Sequence, residues 1–271
     1  MPNSVKLFVV GDIIGKGARN ALICKIPELK EKYNYDILAV NAENTTHGRG
    51  LNHNHYLAYK KAGVDVMTMG NHVLGEATII DYIDDVDDIV VPGNVNYTDK
   101  TFEKHKEANI KFGDKNIKFV NILGINTTNK LEITDKIDFF SKYADDSSIL
   151  IVDFHGEYTL EKNVFAYYFD GIVSLVYGTH THVQTADERI LPKGTAFISD
   201  VGMCGSRESV IGYDYKSCVD KIKTHERSAV STLKPYMINA ILVEIDLDTR
   251  KAIKIERINE ILEWKLESFS F

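Results

Sequence analysis

The chain has 271 residues, 44% of them hydrophobic, so it can bury a large core, and one domain over residues 1–271 is expected. Its net charge of -7 disfavours the wrapping of nucleic acid around the protein, although a small anionic substrate held by metal ions needs no positive surface. Three cysteines without paired spacing argue against a disulfide framework. The first residues lack the apolar core of a signal peptide, and no run approaches the roughly 18 apolar residues of a membrane helix. A cytoplasmic protein without a membrane partner is expected.

In the first half of the chain, short apolar runs alternate with helical patterns. Leu22, Ile26 and Leu29, for example, recur with the spacing of a helix face. The predicted elements are strand 6–10, helix 18–33, strand 36–40, helix 52–62, strand 64–69, a short helix over 77–83 and a strand over 89–91. Strands that alternate with helices predict right-handed crossovers and a largely parallel sheet.

The second half begins with a hairpin pattern. Two apolar runs, 110–112 and 117–125, flank the turn-forming residues Gly113-Asp114-Lys115-Asn116. Later predicted strands are 149–154 and 172–177, with a helix between them, followed by 196–199, 240–247 and 252–258 as antiparallel strands. The simplest architecture is an α/β sandwich of two sheets.

Five of the apolar runs end on residues that can bind a metal ion. Side chains at the carboxyl ends of neighbouring strands meet at one edge of an α/β sheet. The repetition therefore predicts one polynuclear metal centre assembled from distant segments. Its candidate residues are Asp12, Glu43, Asn44, Asn71, His72, His155, His180 and His182.

Several of these residues have alternative interpretations. His180 and His182 are two apart, so in an extended segment both can face one site, but they could equally be loop histidines bonded to their neighbours. Asp12 could be a helix N-cap. Glu43 is harder to explain otherwise, because a carboxylate has two oxygens and can serve one ion with each. The absence of a candidate thiolate disfavours a structural zinc site.

Two motifs, Gly70-Asn71-His72 and Gly178-Thr179-His180-Thr181-His182, resemble those of the calcineurin-like metallophosphoesterases. The chain departs from that pattern at Ile14, where the usual Asp-x-His motif has its histidine, and at Asn41-Ala42-Glu43-Asn44, which replaces a Gly-Asp run. Both departures, with Asp153-Phe154-His155-Gly156-Glu157, resemble the bacterial YmdB-like phosphodiesterases over nearly the whole chain. The resemblance implies a metallophosphoesterase-type sandwich of two mixed β-sheets flanked by helices.

The resemblance also implies a role for each candidate. One ion would be bound by Asp12, Glu43, Asn44 and His182. The other would be bound by Glu43, Asn71, His155 and His180, so that Glu43 bridges the two ions and Asn44 replaces the missing histidine. His72 would be the proton donor, and the alternative is that it orients Asn71 or water by a hydrogen bond.

Members of the YmdB-like subgroup are reported as di-iron or di-manganese enzymes that hydrolyse phosphodiesters, including 2',3'-cyclic nucleotides. Two ions about 3.5 to 4 Å apart can bind a bridging hydroxide for in-line attack on phosphorus. The expected function is therefore a dinuclear phosphodiesterase acting on small nucleotides, with RNA ends as a further substrate and self-association as an open question. Iron is the first expectation for the metal, and manganese or zinc are the alternatives.

Two other functions stay open from the sequence. One is a phosphomonoesterase or protein phosphatase on the same scaffold, and the other is a regulatory nucleotide-binding protein that turns over slowly. Val73-Leu74-Gly75, Tyr158 and Leu160 depart from the subgroup at the pocket wall, which leaves the substrate preference open. The remaining histidines, His47, His53, His55, His105 and His225, are placed outside the metal site, and Cys204 is interpreted as a buried hydrophobic residue.

Overall fold

The helices and strands build two sheets. The computed structural model of the chain describes residues 3–98, 100–125, 127, 133–144, 147–224 and 228–262. The strands are β1 (Ser4–Ile13), β2 (Ile37–Asn41), β3 (Val66–Thr68), β4 (Ile89–Val90), β5 (Glu107–Phe112), β6 (Lys115–Leu123), β7 (Ile149–His155), β8 (Leu175–Thr179), β9 (Arg189–Ile190), β10 (Ala196–Ile198), β11 (Met203–Ser206), β12 (Tyr236–Asp246) and β13 (Ala252–Leu262). The α-helices are α1 (Gly15–Tyr33), α2 (His53–Ala62), α3 (Lys136–Ser141), α4 (Thr159–Tyr168) and α5 (Tyr215–Thr224).

Both sheets are mixed. Among the described residues, the first sheet has seven strands in the order β13-β12-β11-β1-β2-β3-β4, parallel from β11 to β4 and antiparallel at β12 and β13. The second sheet, over the same described residues, has six strands in the order β5-β6-β7-β8-β10-β9, parallel from β6 to β10 and antiparallel at both edges. The predicted pair of mixed sheets is confirmed.

The apolar side chains divide into layers because side chains alternate along a strand. In β1, Leu7 and Val9 pack into the core between the two sheets, whereas Phe8 and Val10 pack against the helices outside the first sheet. Helices α1 and α2 cover that outer face, and α3 and α4 cover the outer face of the second sheet. In the part of the chain that the structure describes, no helix is both long and apolar enough to cross a bilayer.

Some elements differ from the sequence-based expectations. The short helix predicted over 77–83 is a pair of 3-10 turns, Ala77–Asp81 and Ile83–Asp85, in a stretch whose β-branched residues disfavour a continuous α-helix. β10 was expected to be antiparallel, but it is antiparallel only to β9 and runs parallel to β8. β9, β11, α3 and α5 were not predicted.

The carboxyl ends of the parallel strands converge at one edge of the sandwich. In the first sheet, β1, β2 and β3 end directly at or before the predicted donors, and β7 and β8 do the same in the second. The candidate site therefore forms where the edges of the two sheets meet.

Candidate metal centre

Asp12 is turned into the site by an irregularity in β1. The register between β1 and β2 shifts just before Asp12, whose backbone N donates to Gly202 O at 3.1 Å. Gly11 is required next to it, because a Cβ there would lie 2.0 Å from Gly202 O. The Asp12 carboxylate is fully buried, and its Oδ2 accepts the His180 backbone N–H at 3.0 Å. Burial raises the pKa of Asp12, an effect that a bound cation would oppose.

Glu43 lies at the centre of the site, just beyond the end of β2. Its Oε1 is 3.1 Å from His155 Nε2 and 3.2 Å from Asn44 Nδ2. Its Oε2 accepts the backbone N–H of His72 at 2.9 Å. Burial alone would raise the pKa of Glu43, but the neighbouring His155 lowers it below the ordinary value. The carboxylate therefore stays charged in a fully enclosed position.

The first group of donors surrounds His155 Nε2. This nitrogen is 3.0 Å from Asn71 Oδ1, 3.0 Å from His180 Nδ1 and 3.1 Å from Glu43 Oε1. Ligand atoms of Glu43, His155 and His180 all lie within 4.8 Å of one another. Two imidazole nitrogens and two oxygens thus converge on one point, as metal ligands do.

The second group shares Glu43 with the first. His182 Nε2 is 3.8 Å from Asp12 Oδ1 and 3.3 Å from Asn44 Nδ2. Asn44 Nδ2 lies 3.4 Å from Asp12 Oδ1 as well as close to Glu43. His182 Nδ1 donates to Ile211 O at 2.9 Å, which leaves Nε2 to face the acidic side chains. Glu43 is therefore the side chain that contacts both groups.

The two histidines of the loop after β8 have unusual backbone conformations. His180 has a φ of 99° and His182 a φ of 64°, a region that residues other than glycine occupy at an energetic cost. Between them, Thr181 N donates to Asp200 Oδ2 at 3.1 Å. The Lys162 ammonium lies 3.0 Å from the same oxygen. A buried ion pair thus holds the strained loop in place.

The site stabilises positive charge on His155. Burial alone would lower the pKa of His155, but Glu43 and Asp12 raise it to about 9. Burial and the positive charge of His155 lower the pKa of His180 to about 3. The carboxylates therefore offer a favourable field to a cation between these side chains, and metal binding would displace the proton from His155.

Gly70 provides one test of whether an ion fits here. A Cβ at Gly70 would lie 2.4 Å from Glu43 Oε2 and 2.5 Å from His155 Nε2. Any side chain at this position would occupy the space that the two ligand atoms face. The glycine thus leaves open the space beside these ligand atoms, as a metal ion requires.

Asn44 provides a second test. Its Oδ1 is buried and has no hydrogen-bond partner among the described residues, which is costly for an amide oxygen. A half-turn of the amide would point Oδ1 at Asp12, Glu43 and His182, where only a cation could offset the repulsion between oxygens. The donor set therefore fits metal ions at both groups.

His72 lies beside the donors, and no hydrogen bond to its imidazole is found within the described residues. Its backbone N–H is fixed by Glu43, and the residue is partly buried at the start of a short 3-10 turn. Burial lowers the pKa of His72, Glu43 opposes this, and Arg49 adds to it. The imidazole is thus free to contact a substrate, and its lowered pKa favours the neutral form before one binds.

A model of the YmdB-like protein family matches residues 7–258. The chain belongs to the YmdB-like family. A Bacillus subtilis relative named 2',3'-cyclic-nucleotide 2'-phosphodiesterase is 36% identical over 258 residues, which cover 94% of this chain and 96% of that protein. A Mycoplasma pneumoniae relative with the provisional name phosphatase/phosphodiesterase is 38% identical over 268 residues, 95% of this chain and 94% of that protein.

Solved structures agree with the YmdB-like assignment. A crystal structure of a novel phosphatase from Mycoplasma pneumoniae has a TM-score of 0.90 at 37% identity and covers 96% of this chain and 95% of its own. A hypothetical protein from Thermus thermophilus has a TM-score of 0.85 at 25% identity, with coverages of 95% and 99%. The described part of the chain thus has the fold of these two solved structures.

All of the predicted site residues of this YmdB-like chain converge, although their roles as ligands stay predictions. The histidines placed outside the site lie elsewhere: His47 is exposed in the loop after Asn44, His53 and His55 are on α2, and His105 is buried near Asp84. His225 lies outside the described residues. Cys204 is buried in β11, as expected.

Sequence reasoning missed two side chains beside His180 and His182. Glu157 Oε2 lies 3.3 Å from His180 Nε2, on the side of the ring opposite to His155. The Tyr213 ring stacks beside His182 with centroids 6.4 Å apart. Glu157 belongs to a motif that the resemblance used, so its position two residues after His155 was a usable signal. Tyr213 lies in an irregular segment without such a signal.

Proposed function

We propose that the chain is a dinuclear metal-dependent phosphodiesterase that hydrolyses small nucleotide phosphodiesters, with 2',3'-cyclic nucleotides as the substrate class. The observation that carries the proposal is the position of Glu43, whose carboxylate contacts both groups of donors. The name of the Bacillus subtilis relative supports the substrate class.

Each ion would have its own set of residues. Asp12, Asn44 and His182 would bind one ion together with Glu43. Asn71, His155 and His180 would bind the other, again together with Glu43. When bound, such a pair of ions supplies an activated water molecule and positive charge for the non-bridging phosphate oxygens.

The chain itself supplies the proton for the leaving oxygen. Glu43 holds the backbone of His72, so the imidazole stays next to the donors. Burial lowers the pKa of His72, and the negative charge of an approaching phosphate raises it again. His72 then donates its proton to the ribose oxygen as the P–O bond breaks. With a 2',3'-cyclic substrate, this single cut yields a nucleoside monophosphate.

The test compares two leaving groups in metal-loaded protein. His72→Ala should lower kcat for a 2',3'-cyclic nucleotide by about 10²- to 10⁴-fold, because the alkoxide leaving group needs a proton. The kcat for bis-p-nitrophenyl phosphate should fall much less, because p-nitrophenolate is a leaving group that needs no proton. An equal loss on both substrates would contradict the role of His72.

The alternatives are separated by other measurements. Faster turnover of p-nitrophenyl phosphate than of its bis ester would favour a phosphomonoesterase or protein phosphatase. If the cellular effect of the protein survives in His72→Ala while hydrolysis is lost, the function is regulatory nucleotide binding. Iron or manganese as the metal, RNA ends as substrates and a homo-oligomer stay predictions from the resemblance, and a cytoplasmic location stays a prediction from the sequence.

A further inference from the structure

Asp153 is a buried carboxylate beneath the candidate metal centre and is not one of its predicted donors. It lies on β7, two residues before His155, so both side chains face the space between the two sheets. Only 1% of Asp153 is exposed, and no ion pair to it is found within the described residues. A buried carboxylate is costly unless hydrogen bonds compensate it.

Three side chains provide those hydrogen bonds, and they come from both sheets. Thr179 Oγ1 of the second sheet donates to Asp153 Oδ1 at 2.6 Å. From the first sheet, Thr68 Oγ1 and Asn41 Nδ2 donate to Oδ2 at 2.5 Å and 3.1 Å. Asp153 is therefore a polar connection between the sheets at the edge where the site forms.

The threonine hydroxyl links Asp153 to a predicted ligand. Thr179 Oγ1 lies 2.9 Å from His155 Nδ1. A hydroxyl has one proton, and because Thr179 gives that proton to the carboxylate, its oxygen must accept from His155 Nδ1–H. A proton fixed on Nδ1 leaves the lone pair of His155 Nε2 available on the side that faces Glu43.

The other carboxylate oxygen reaches Glu43. Asn41, which donates to Asp153 Oδ2, uses its own Oδ1 to accept the Glu43 backbone N–H at 3.2 Å. The same buried group thus orients a predicted donor in each sheet.

We propose that Asp153 is a positioning residue that, through the Thr179 hydroxyl, keeps the proton of His155 on Nδ1 and so presents Nε2 to a metal ion. The inference rests on the proposed function and extends it to residues that no predicted donor set includes. Such partners of ligating histidines are common in metal sites, and their loss weakens binding about 10- to 100-fold.

Asp153→Asn reverses the direction of the hydrogen bonds. The new amide would keep an oxygen toward Asn41, so its Nδ2 would donate to Thr179 Oγ1. The Thr179 proton would then point at His155 Nδ1, and the histidine would carry its own proton on Nε2, where it blocks the ion. The change is nearly isosteric, so packing is preserved.

Zinc binding, measured by competition with a chelator, tests the proposal. In Asp153→Asn and Thr179→Val, the affinity for one of two ions should fall about 10- to 100-fold, and the affinity for the other should not change. Thr179→Ser, which keeps the hydroxyl, should bind like the wild type. In wild-type zinc-loaded protein, nitrogen-15 NMR should place the His155 proton on Nδ1. If Thr179→Val binds both ions as the wild type does, the proposal is overturned.

Asp187→Asn is the matched control. Asp187 also accepts a threonine hydroxyl, from Thr185 Oγ1 at 2.7 Å, but this hydroxyl is not bonded to a histidine. The zinc affinities of Asp187→Asn should equal those of the wild type. A loss of affinity like that expected for Asp153→Asn would contradict the proposal. If Asp153→Asn fails to fold, the comparison of Thr179→Val with Thr179→Ser tests the proposal instead. A wild-type chain that binds none of iron, manganese and zinc contradicts the proposed function itself, whereas two zinc ions whose binding is insensitive to Thr179→Val contradict only the role of Asp153.

Discussion

The Lys162 ammonium lies 3.0 Å from Asp200 Oδ2, and both side chains are buried. Lys162 also donates to Thr179 O at 2.9 Å, and Asp200 accepts the backbone N–H groups of Thr181 and Gly202 at 3.1 Å and 2.9 Å. The pair therefore ties α4 to the loop that bears two predicted ligand histidines. Its loss affects both the stability of the chain and the shape of that loop.

Lys162→Met should lower the free energy of unfolding by about 3–5 kcal/mol, because it leaves the Asp200 carboxylate buried without a cation. Urea denaturation measures the change. The control is the double variant Lys162→Met with Asp200→Asn, which removes both charges and should recover part of the loss. Equal instability of the single and double variants would exclude the unpaired charge as the cause.

Gly70→Ala should remove metal from the group of donors around His155. The added methyl would lie within 2.4 Å of Glu43 Oε2, in the space that the ligand atoms face. Metal analysis after dialysis is expected to show about one equivalent lost. Gly205→Ala is a suitable control, because the three atoms nearest to the added Cβ all belong to the flexible Met203 side chain, the first of them at 2.8 Å. If the Gly70→Ala protein keeps its full metal content, the space beside Gly70 is not a metal site.

Asn44→Leu should affect the other group of donors. The substitution removes the buried Oδ1 that has no partner among the described residues, together with a predicted ligand beside Asp12 and His182. Titration with zinc is expected to show about one tight equivalent instead of two. The control is Asn109→Leu, which changes a residue on the β5–β6 hairpin and should retain both tight equivalents of zinc. Two tight equivalents in Asn44→Leu would show that Asn44 is not a ligand.

His55 should make the stability of the metal-free protein depend on pH. Its Nδ1 bonds with Thr46 Oγ1 at 2.9 Å, and burial, Arg19 and His47 lower the pKa of His55 to about 4. Since the unfolded value is near 6.5, the unfolded chain binds the proton first, and stability falls as the pH drops from about 6.5 to 4. The side chain in His55→Gln stays neutral. Between pH 6.5 and pH 4, the Tm of this variant should therefore fall by about a few degrees less than the Tm of the wild type. Parallel Tm curves for the two proteins would contradict the prediction.

The elements that carry the predicted donors were readable from the sequence for a physical reason. β1, β2, β7 and β8 are buried on both faces, so each appears as a continuous apolar run, and the polar residue that ends the run is conspicuous. The convergence of Asp12 and Glu43 follows once β1 and β2 are parallel neighbours, and that of His155 follows from the packing of the second sheet against the first. A local sequence pattern was therefore enough to identify these site residues.

Other features carry no local pattern of this kind. β11 has four residues, including a glycine and a cysteine, and its place beside β1 depends on pairing with distant strands. Helix α5 buries none of its residues, so no core-facing stripe marks it. The bond between Asp153 and Thr179 joins neighbouring strands 26 residues apart, and a register shift of one residue would abolish it.

The predicted donors of the two sheets differ in chemical hardness. Asp12, Glu43, Asn44 and Asn71 lie at or just after the ends of strands of the first sheet and offer oxygen, whereas His155, His180 and His182 lie at or just after the ends of strands of the second and offer nitrogen. Oxygen ligands alone suit magnesium, calcium and manganese, and imidazoles add a preference for iron and zinc. The oxygen donors of the first sheet alone would suit a hard cation. A preference for a transition metal would therefore come from the imidazoles of the second sheet.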